Sequence, residues 1–232
     1  MRNERSRLHF RAGACDWTKQ ARRPRWSCMR VATLVRAAGS SGHDRVRVLE
    51  YSESALIVLC DGTGGVAGGA DAADLVSNFL ARPGFQPPGS STAAFLAEML
   101  TTIDCSPFMP ASAGLTTAVV AWIAHGKVTG ASVGDSEAWL VRRNDYVELT
   151  EMQYRGPLIG SRRCYPVAFG PIELDGTLII GSDGLFKHCD RANLLRLARS
   201  ADYEVLPELL LGAAKPSTGK LRDNFSVAVY RN

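Results

Sequence analysis

The 232-residue sequence contains no apolar run near the roughly 18 residues that a membrane-spanning helix needs, which excludes an integral helical membrane protein. It has no Cys-x-x-Cys pair. Its six cysteines, at 15, 28, 60, 105, 164 and 189, also form no Cys/His cluster with zinc spacing, and the N-terminus lacks the apolar stretch of a secretory signal. A reduced, cytoplasmic setting is therefore expected, with Cys60, Cys105, Cys164 and Cys189 read as small buried or half-buried side chains rather than nucleophiles. Disorder is excluded by composition, because 46% of the residues are hydrophobic and 22% are charged, enough for one sizeable core.

A basic body is missing too, despite a formal charge of +4. Residues 1–30 hold nine Lys/Arg against Glu4 and Asp16, whereas the rest of the chain holds 18 against 21 acidic residues, so the excess belongs to the leader. A nucleic-acid partner is not expected of the fold itself. Residues 1–28 show no steady periodicity and read as a disordered arm, or as an extension ahead of a true start at Met29. A surface-binding or transit role for that segment is the alternative. Residues 29–232 read as one domain without internal repeats, and a monomer is expected.

From Arg30 onward, strand-like runs alternate with Gly-rich turns. RVATLVRAA, DRVRVLEY and ALIVLC predict opening strands, and GADAADLVSNFLAR predicts a helix with Ala72, Leu75, Val76, Phe79 and Leu80 on one face. A second helix is predicted at about 91–103. LTTAVVAWIA, KVTGASVG, EAWLVRR and YVELT then read as a meander of hairpins, with His125 in a turn, and residues 151–172 as an irregular surface loop. TLIIGS, two helices (ANLLRLAR and VLPELLLGAA) and the strand FSVAVYR finish the chain. Helix pairs segregated from antiparallel strands imply α+β, with two sheets face to face and helices outside.

Three apolar strands end in an aspartate followed by a small residue: Asp61-Gly62, Asp135-Ser136 and Asp183-Gly184, while Asp223 stands just before the last strand. Strand-end carboxylates are rigidly placed, and several converging would suit a hard cation, Mg2+ or Mn2+, rather than zinc. Each one alone reads as a turn, since Asp-Gly is a common turn dipeptide.

The surrounding text adds to this. VLCDGTGGVAGGADAADLVSNFL, TTAVVAWIAHGKVTGASVGDSEAWLVRRNDYVELT, GTLIIGSDGLF and RDNFSVAVY, in that order over residues 42–230, resemble the metal-dependent protein phosphatases (PPM, type 2C serine/threonine phosphatases), especially the short bacterial kind. The resemblance implies a sandwich of two antiparallel β-sheets flanked by helix pairs, with a two-metal site at one end. It implies that Asp61 bridges two Mn2+ or Mg2+ ions, that the Gly62 carbonyl holds the second, and that Asp183 and Asp223 complete the first. Asp44 would orient a metal-bound water, and Asp135 matches a ligand of a third, weaker ion. The implied substrate is a phosphoserine or phosphothreonine protein, a kinase or its target.

Four departures touch chemistry. Gly39 stands where the family commonly has a phosphate-binding Arg, so Arg36, Arg45 or Arg47 would have to substitute. His43 replaces an acidic ligand of the second metal, Lys187 replaces an Asp of the third, and Glu137 follows VGDS in place of Arg. Lys187 therefore reads as a phosphate contact, a stand-in for the third ion, or a solvated side chain, and His188 as a surface residue. These departures also favour an alternative function, a pseudophosphatase that binds a phosphoprotein without efficient turnover.

Overall fold

The computed structural model describes residues 30–64, 67–107, 109–110, 112–216 and 219–231, so the expected arm, Met29, Cys15 and Cys28 lie outside the described residues. The chain order is β1 (Arg30–Arg36), β2 (Asp44–Glu50), β3 (Ser54–Asp61), α1 (Gly69–Leu80), α2 (Thr92–Cys105), β4 (Ala118–Ala124), β5 (Lys127–Val133), β6 (Glu137–Val141) and β7 (Tyr146–Glu148). It continues with β8 (Val167–Glu173), β9 (Thr177–Gly181), α3 (Asp183–Phe186), α4 (Arg191–Ser200), α5 (Leu206–Ala214) and β10 (Phe225–Arg231).

Two five-stranded antiparallel sheets form, ordered β1-β10-β9-β6-β7 and β2-β3-β4-β5-β8. Period-2 alternation separates their faces. Ile57, Leu59, Val119 and Ala121 point inward and meet Leu140, Ile180 and Ala228 of the other sheet. Leu56, Val58 and Cys60 point outward, under Val76 and Leu80 of α1 and Leu96 and Leu100 of α2. On the opposite outer face, Ile179, Val227 and Val229 pack under Leu194 of α4 and Leu210 of α5. The result is four layers, helices, sheet, sheet, helices, as the sequence implied.

Three details differ from the sequence reading. Residues 167–173 are an edge strand, β8, paired with β5 across a register shift between Val128 and Gly130. Pro166, Gly170 and Pro171 hid its alternation, and prolines are tolerated there because the strand sits at the sheet edge. The predicted meander is broken, because β5 and β6 lie in different sheets and the chain crosses between them at Gly134-Asp135-Ser136. Gly134 has φ +100°, and a Cβ there would press on the Thr117 side chain, so only glycine suits the crossing. On α1, Leu75 and Phe79 are exposed while Ala72, Val76 and Leu80 are buried, so the covered stripe is narrower than predicted. Cys60 and Cys189 are buried and Cys164 half-buried, but Cys105 is exposed.

Candidate metal centre

Register builds the site. Asp44, the first residue of β2, pairs directly with Asp61, the last of β3, so both side chains leave the same inner face at one end of the sandwich. Asp61 is fixed by its backbone: its N–H donates to Thr117 Oγ1 (3.0 Å), and its carbonyl accepts from the Thr117 N–H (2.8 Å) and Thr116 Oγ1 (3.0 Å). Thr117 Oγ1 and Ser136 Oγ share a 2.7 Å hydrogen bond, which ties this corner to the crossing that carries Asp135. Neither threonine nor Ser136 was singled out from sequence. Their signal, hydroxyls beside an apolar strand start, is too common to stand out.

Gly62 is required by packing, since a Cβ would lie 2.2 Å from the Gly69 carbonyl oxygen at the start of α1. Asp183 opens α3 instead of closing a turn, and Gly184 beside it passes so close to the Asn224 carbonyl (1.8 Å from an added Cβ) that no side chain fits. The Asp-Gly pairs thus mark close backbone approach at the mouth.

Asp61, Asp44 and Asp183 come together. Burial first, then the neighbouring charges and close carboxyl contacts of Asp44 and Asp183, push the Asp61 carboxyl up to about 10. Burial also raises Asp44, against the pull of the Ser226 and Ser182 hydroxyls. Asp44 is 2% exposed, and neither of its carboxyl oxygens makes a well-formed hydrogen bond. Beside it, His43 Nδ1 is buried without a partner, while its Nε2 lies 3.5 Å from Ser41 Oγ.

Lys187, four residues after Asp183, donates to Asp183 Oδ2 and lies 3.4 Å from Asp135 Oδ2. Asp183 first, with Asp135 adding, raises its ammonium above the ordinary lysine value. Asp223 is not drawn in: it is exposed, and the contact seen for it is an N–H from its neighbour Asn224 at 2.8 Å.

The candidate arginines face elsewhere. Arg45 grips Asp74 of α1 through Nε and Nη2, both at 2.7 Å, Arg47 reaches Asp74 and Asn78, and Arg36 pairs with Glu208 of α5. Two arginines at i and i+2 share one strand face, a legible signal for the acidic helix above them. Glu137 accepts from the Trp139 indole (2.7 Å), and Gly39 is exposed in the β1–β2 loop.

The segment after β7 is latched to the crossing. Gln153 Nε2 donates to the Ser136 carbonyl (2.8 Å), and the Gly134 N–H donates to the Tyr154 carbonyl (3.2 Å). Its far part wraps the buried carboxylate of Asp104 on α2, which accepts from the N–H groups of Gly160, Arg162 and Cys164 at 2.6, 3.0 and 2.8 Å. An acidic residue in the last turn of α2 opposes the helix dipole, the one sequence clue to this anchoring role.

The donor chemistry fits a hard divalent cation: three crowded carboxylates, unpartnered Asp44 oxygens and a free imidazole nitrogen leave a deficit of positive charge. Among the described residues, however, no group of three or more His, Cys, Asp or Glu side chains is placed so that it could hold a metal ion as it stands.

No family model matches the chain, and no curated protein does. Solved structures do. A bacterial serine phosphatase superposes with TM-score 0.75 at 19% identity, over 88% of this chain and 97% of that one. Serine/threonine phosphatase Stp1 from Staphylococcus aureus gives 0.76 at 18%, over 89% and 96%. The catalytic domain of the serine/threonine phosphatase PstP, in complex with two manganese ions, gives 0.71 at 20%, over 87% and 97%. The resemblance in the motifs and the likeness in architecture agree: this chain has the PPM phosphatase fold of the bacterial serine/threonine phosphatases.

Proposed function

We propose that the protein is a divalent-metal-dependent phosphatase that hydrolyses phosphoserine or phosphothreonine in proteins. The observation that carries this reading is the cluster of Asp44, Asp61 and Asp183 at one mouth of the sandwich, in which Lys187 pairs with Asp183 alone. Asp61, Asp183, the Gly62 carbonyl and His43 would hold two Mn2+ or Mg2+ ions, whereas Asp223, which the resemblance implies as a further ligand, stands apart from them. Asp135 lies at the rim beside them. When bound, such ions supply Lewis acidity toward the phosphoryl group and toward water. Asp44, buried and raised above the usual carboxylate range, is suited to orient a water and hold its proton. The protein would act as a monomer in the cytoplasm on a kinase or its target, with no nucleic-acid or membrane partner.

A second reading, the pseudophosphatase, rests on specific observations. Arg36, Arg45 and Arg47 are all committed to helix carboxylates, Lys187 occupies Asp183, and Asp223 stands apart. Hydrolysis of p-nitrophenyl phosphate and of a phosphothreonine peptide with Mn2+, and its loss with EDTA, separates the two. Metal-dependent turnover supports the enzyme; a protein that binds the phosphopeptide without turning it over is the alternative.

A further inference from the structure

Lys187 ends the short α3, and its ammonium bridges two carboxylates from different sheet corners, Asp183 on one side and Asp135 on the other. It is the one cation paired with a carboxylate of the cluster among the described residues, since Arg45 meets only the backbone carbonyl of Asp44. Arg45 and Arg47 are held on the outer face by Asp74, and Arg36 by Glu208. Yet this contact is loosely housed. The Lys187 side chain is 48% exposed, whereas that of Asp183 is 15% exposed, so the carboxylate is fixed and the ammonium can swing on its four-carbon stem.

Asp44 and Asp61, deeper in, receive no hydrogen bond from Lys187, and both buried carboxyl oxygens of Asp44 lack a well-formed partner. A monocation at the rim therefore neutralises only part of the cluster. A divalent cation placed among Asp44, Asp61 and Asp183 would satisfy more of it, and would take from Lys187 the partner it holds most closely.

We propose that Lys187 is an exchangeable counter-ion. A divalent cation displaces its ammonium from Asp183, and the released ammonium, still anchored beside Asp135 at the mouth, binds the phosphoryl oxygens of the ligand. This rests on the metal-dependent reading above. It supplies a phosphate contact where the sequence has Gly39 and where the three nearby arginines point away. Lysine suits the task, since it meets phosphate as a point charge with no fixed fork to orient. Lys187 thus carries opposite effects: it weakens metal binding and strengthens phosphate binding.

The test uses the full chain as wild type, Lys187→Met, Lys187→Gln and Lys187→Arg. Titration calorimetry measures Mn2+ binding, then inorganic phosphate binding at saturating Mn2+, and thermal melts in EDTA check folding. Lys187→Met and Lys187→Gln should bind Mn2+ roughly three- to tenfold more tightly, because no ion pair must be broken. They should bind phosphate several-fold more weakly, and melt lower than wild type in EDTA, where the cluster has lost its counter-ion. Lys187→Arg should keep wild-type phosphate affinity. Unchanged Mn2+ affinity in Lys187→Met and Lys187→Gln overturns the exchange, and so does tightened Mn2+ with unchanged phosphate affinity. If wild type turns over a phosphopeptide while these constants do not move, the phosphatase reading stands and this one falls. If no turnover is found but the opposed shifts appear, the exchange stands in a protein that binds phosphate without hydrolysing it. Failure of every variant to bind Mn2+ overturns both.

Discussion

The two ends of the sandwich handle charge in opposite ways. At the end away from the aspartates, polar groups are matched. Arg231, the last residue of β10, donates to Thr177 Oγ1 (2.9 Å) and to the Ala201 and Ala198 carbonyls (2.7 and 2.6 Å), closing the C-terminus of α4. Arg199 does the same for the β6–β7 turn through the Arg142 and Asp145 carbonyls, and Arg142 pairs with Asp175 at 2.6 Å. At the other end, Asp44, Asp61 and Asp183 crowd together, with a single lysine at the rim that reaches only Asp183 of the three. A fold gains nothing from buried carboxylates left short of partners, so such a cluster costs stability and persists for what it binds. One end holds the sheets and helices together, and the other leaves buried carboxylates short of partners.

The comparison breaks first at Asp61. Asp61→Asn removes the charge in contact with both neighbouring carboxylates, so Mn2+ affinity and phosphatase turnover should fall by about a thousandfold or more. The metal-free protein should melt at the same temperature as wild type or higher, because the amide stays neutral without the proton that the buried Asp61 carboxyl must hold. Calorimetric Mn2+ titration with a melt in EDTA checks both halves. A variant that retains wild-type Mn2+ affinity would remove Asp61 from the site; one that melts several degrees lower without metal would make this end structural like the other.

Arg231→Ala should show the reverse pattern. Losing three hydrogen bonds, with the Ala198 carbonyl keeping only its bond from Thr177 Oγ1, should cost about 2 kcal/mol, or roughly 4–8 °C in Tm, while Mn2+ affinity stays unchanged. Thermal unfolding and metal titration of the same sample read both. A variant that loses metal binding while still folded would show that the two ends are coupled.

This division was half visible in the sequence. The aspartate end announced itself through Asp61-Gly62, Asp135-Ser136 and Asp183-Gly184 at strand ends, because backbone crowding and charge both restrict the residues allowed there. Strand alternation then sufficed to separate inner and outer faces. What stayed hidden depends on contacts distant in sequence: the Thr117–Ser136 hydroxyl pair, 19 residues apart, and Asp104 holding the N–H groups of residues 160–164 from across the fold. The other end gave no motif at all, since Arg231 reads as an ordinary closing residue until α4 is brought against it. The destination of Arg45 and Arg47 was likewise open, because alternation says that they share a face but not which layer covers it.

The pH response should sharpen the contrast. Asp61, with an ordinary value of 3.8, is pushed up to about 10 in the folded protein, and Asp44 moves the same way. Between about pH 4 and pH 10 the folded state therefore binds more protons than the unfolded chain, and stability must decline as pH rises through that window. Tm in EDTA should drop by a few degrees from pH 5 to pH 9, and Asp61→Asn should flatten the slope. Saturating Mn2+ should flatten it as well, because bound cations replace the protons. A metal-free Tm that climbs over this range would show that the carboxylates are already neutralised by something else.

The smallest effect belongs to the ion pair at the far tip of the β4–β5 hairpin. Lys127 Nζ and Glu173 Oε1 are 3.0 Å apart, but their side chains are 48% and 67% exposed, so solvent and salt screen the attraction and ordering two long side chains offsets most of it. Lys127→Ala should shift Tm by no more than roughly 1 °C, and less at high salt. It should leave Mn2+ affinity untouched, since the pair sits at the opposite end of β5 from Asp135. Melts at low and high ionic strength provide the check. A drop of several degrees would mean that β8, the edge strand this pair ties to β5, is held by its charges rather than by the pairing and packing of Phe169 against the sheet.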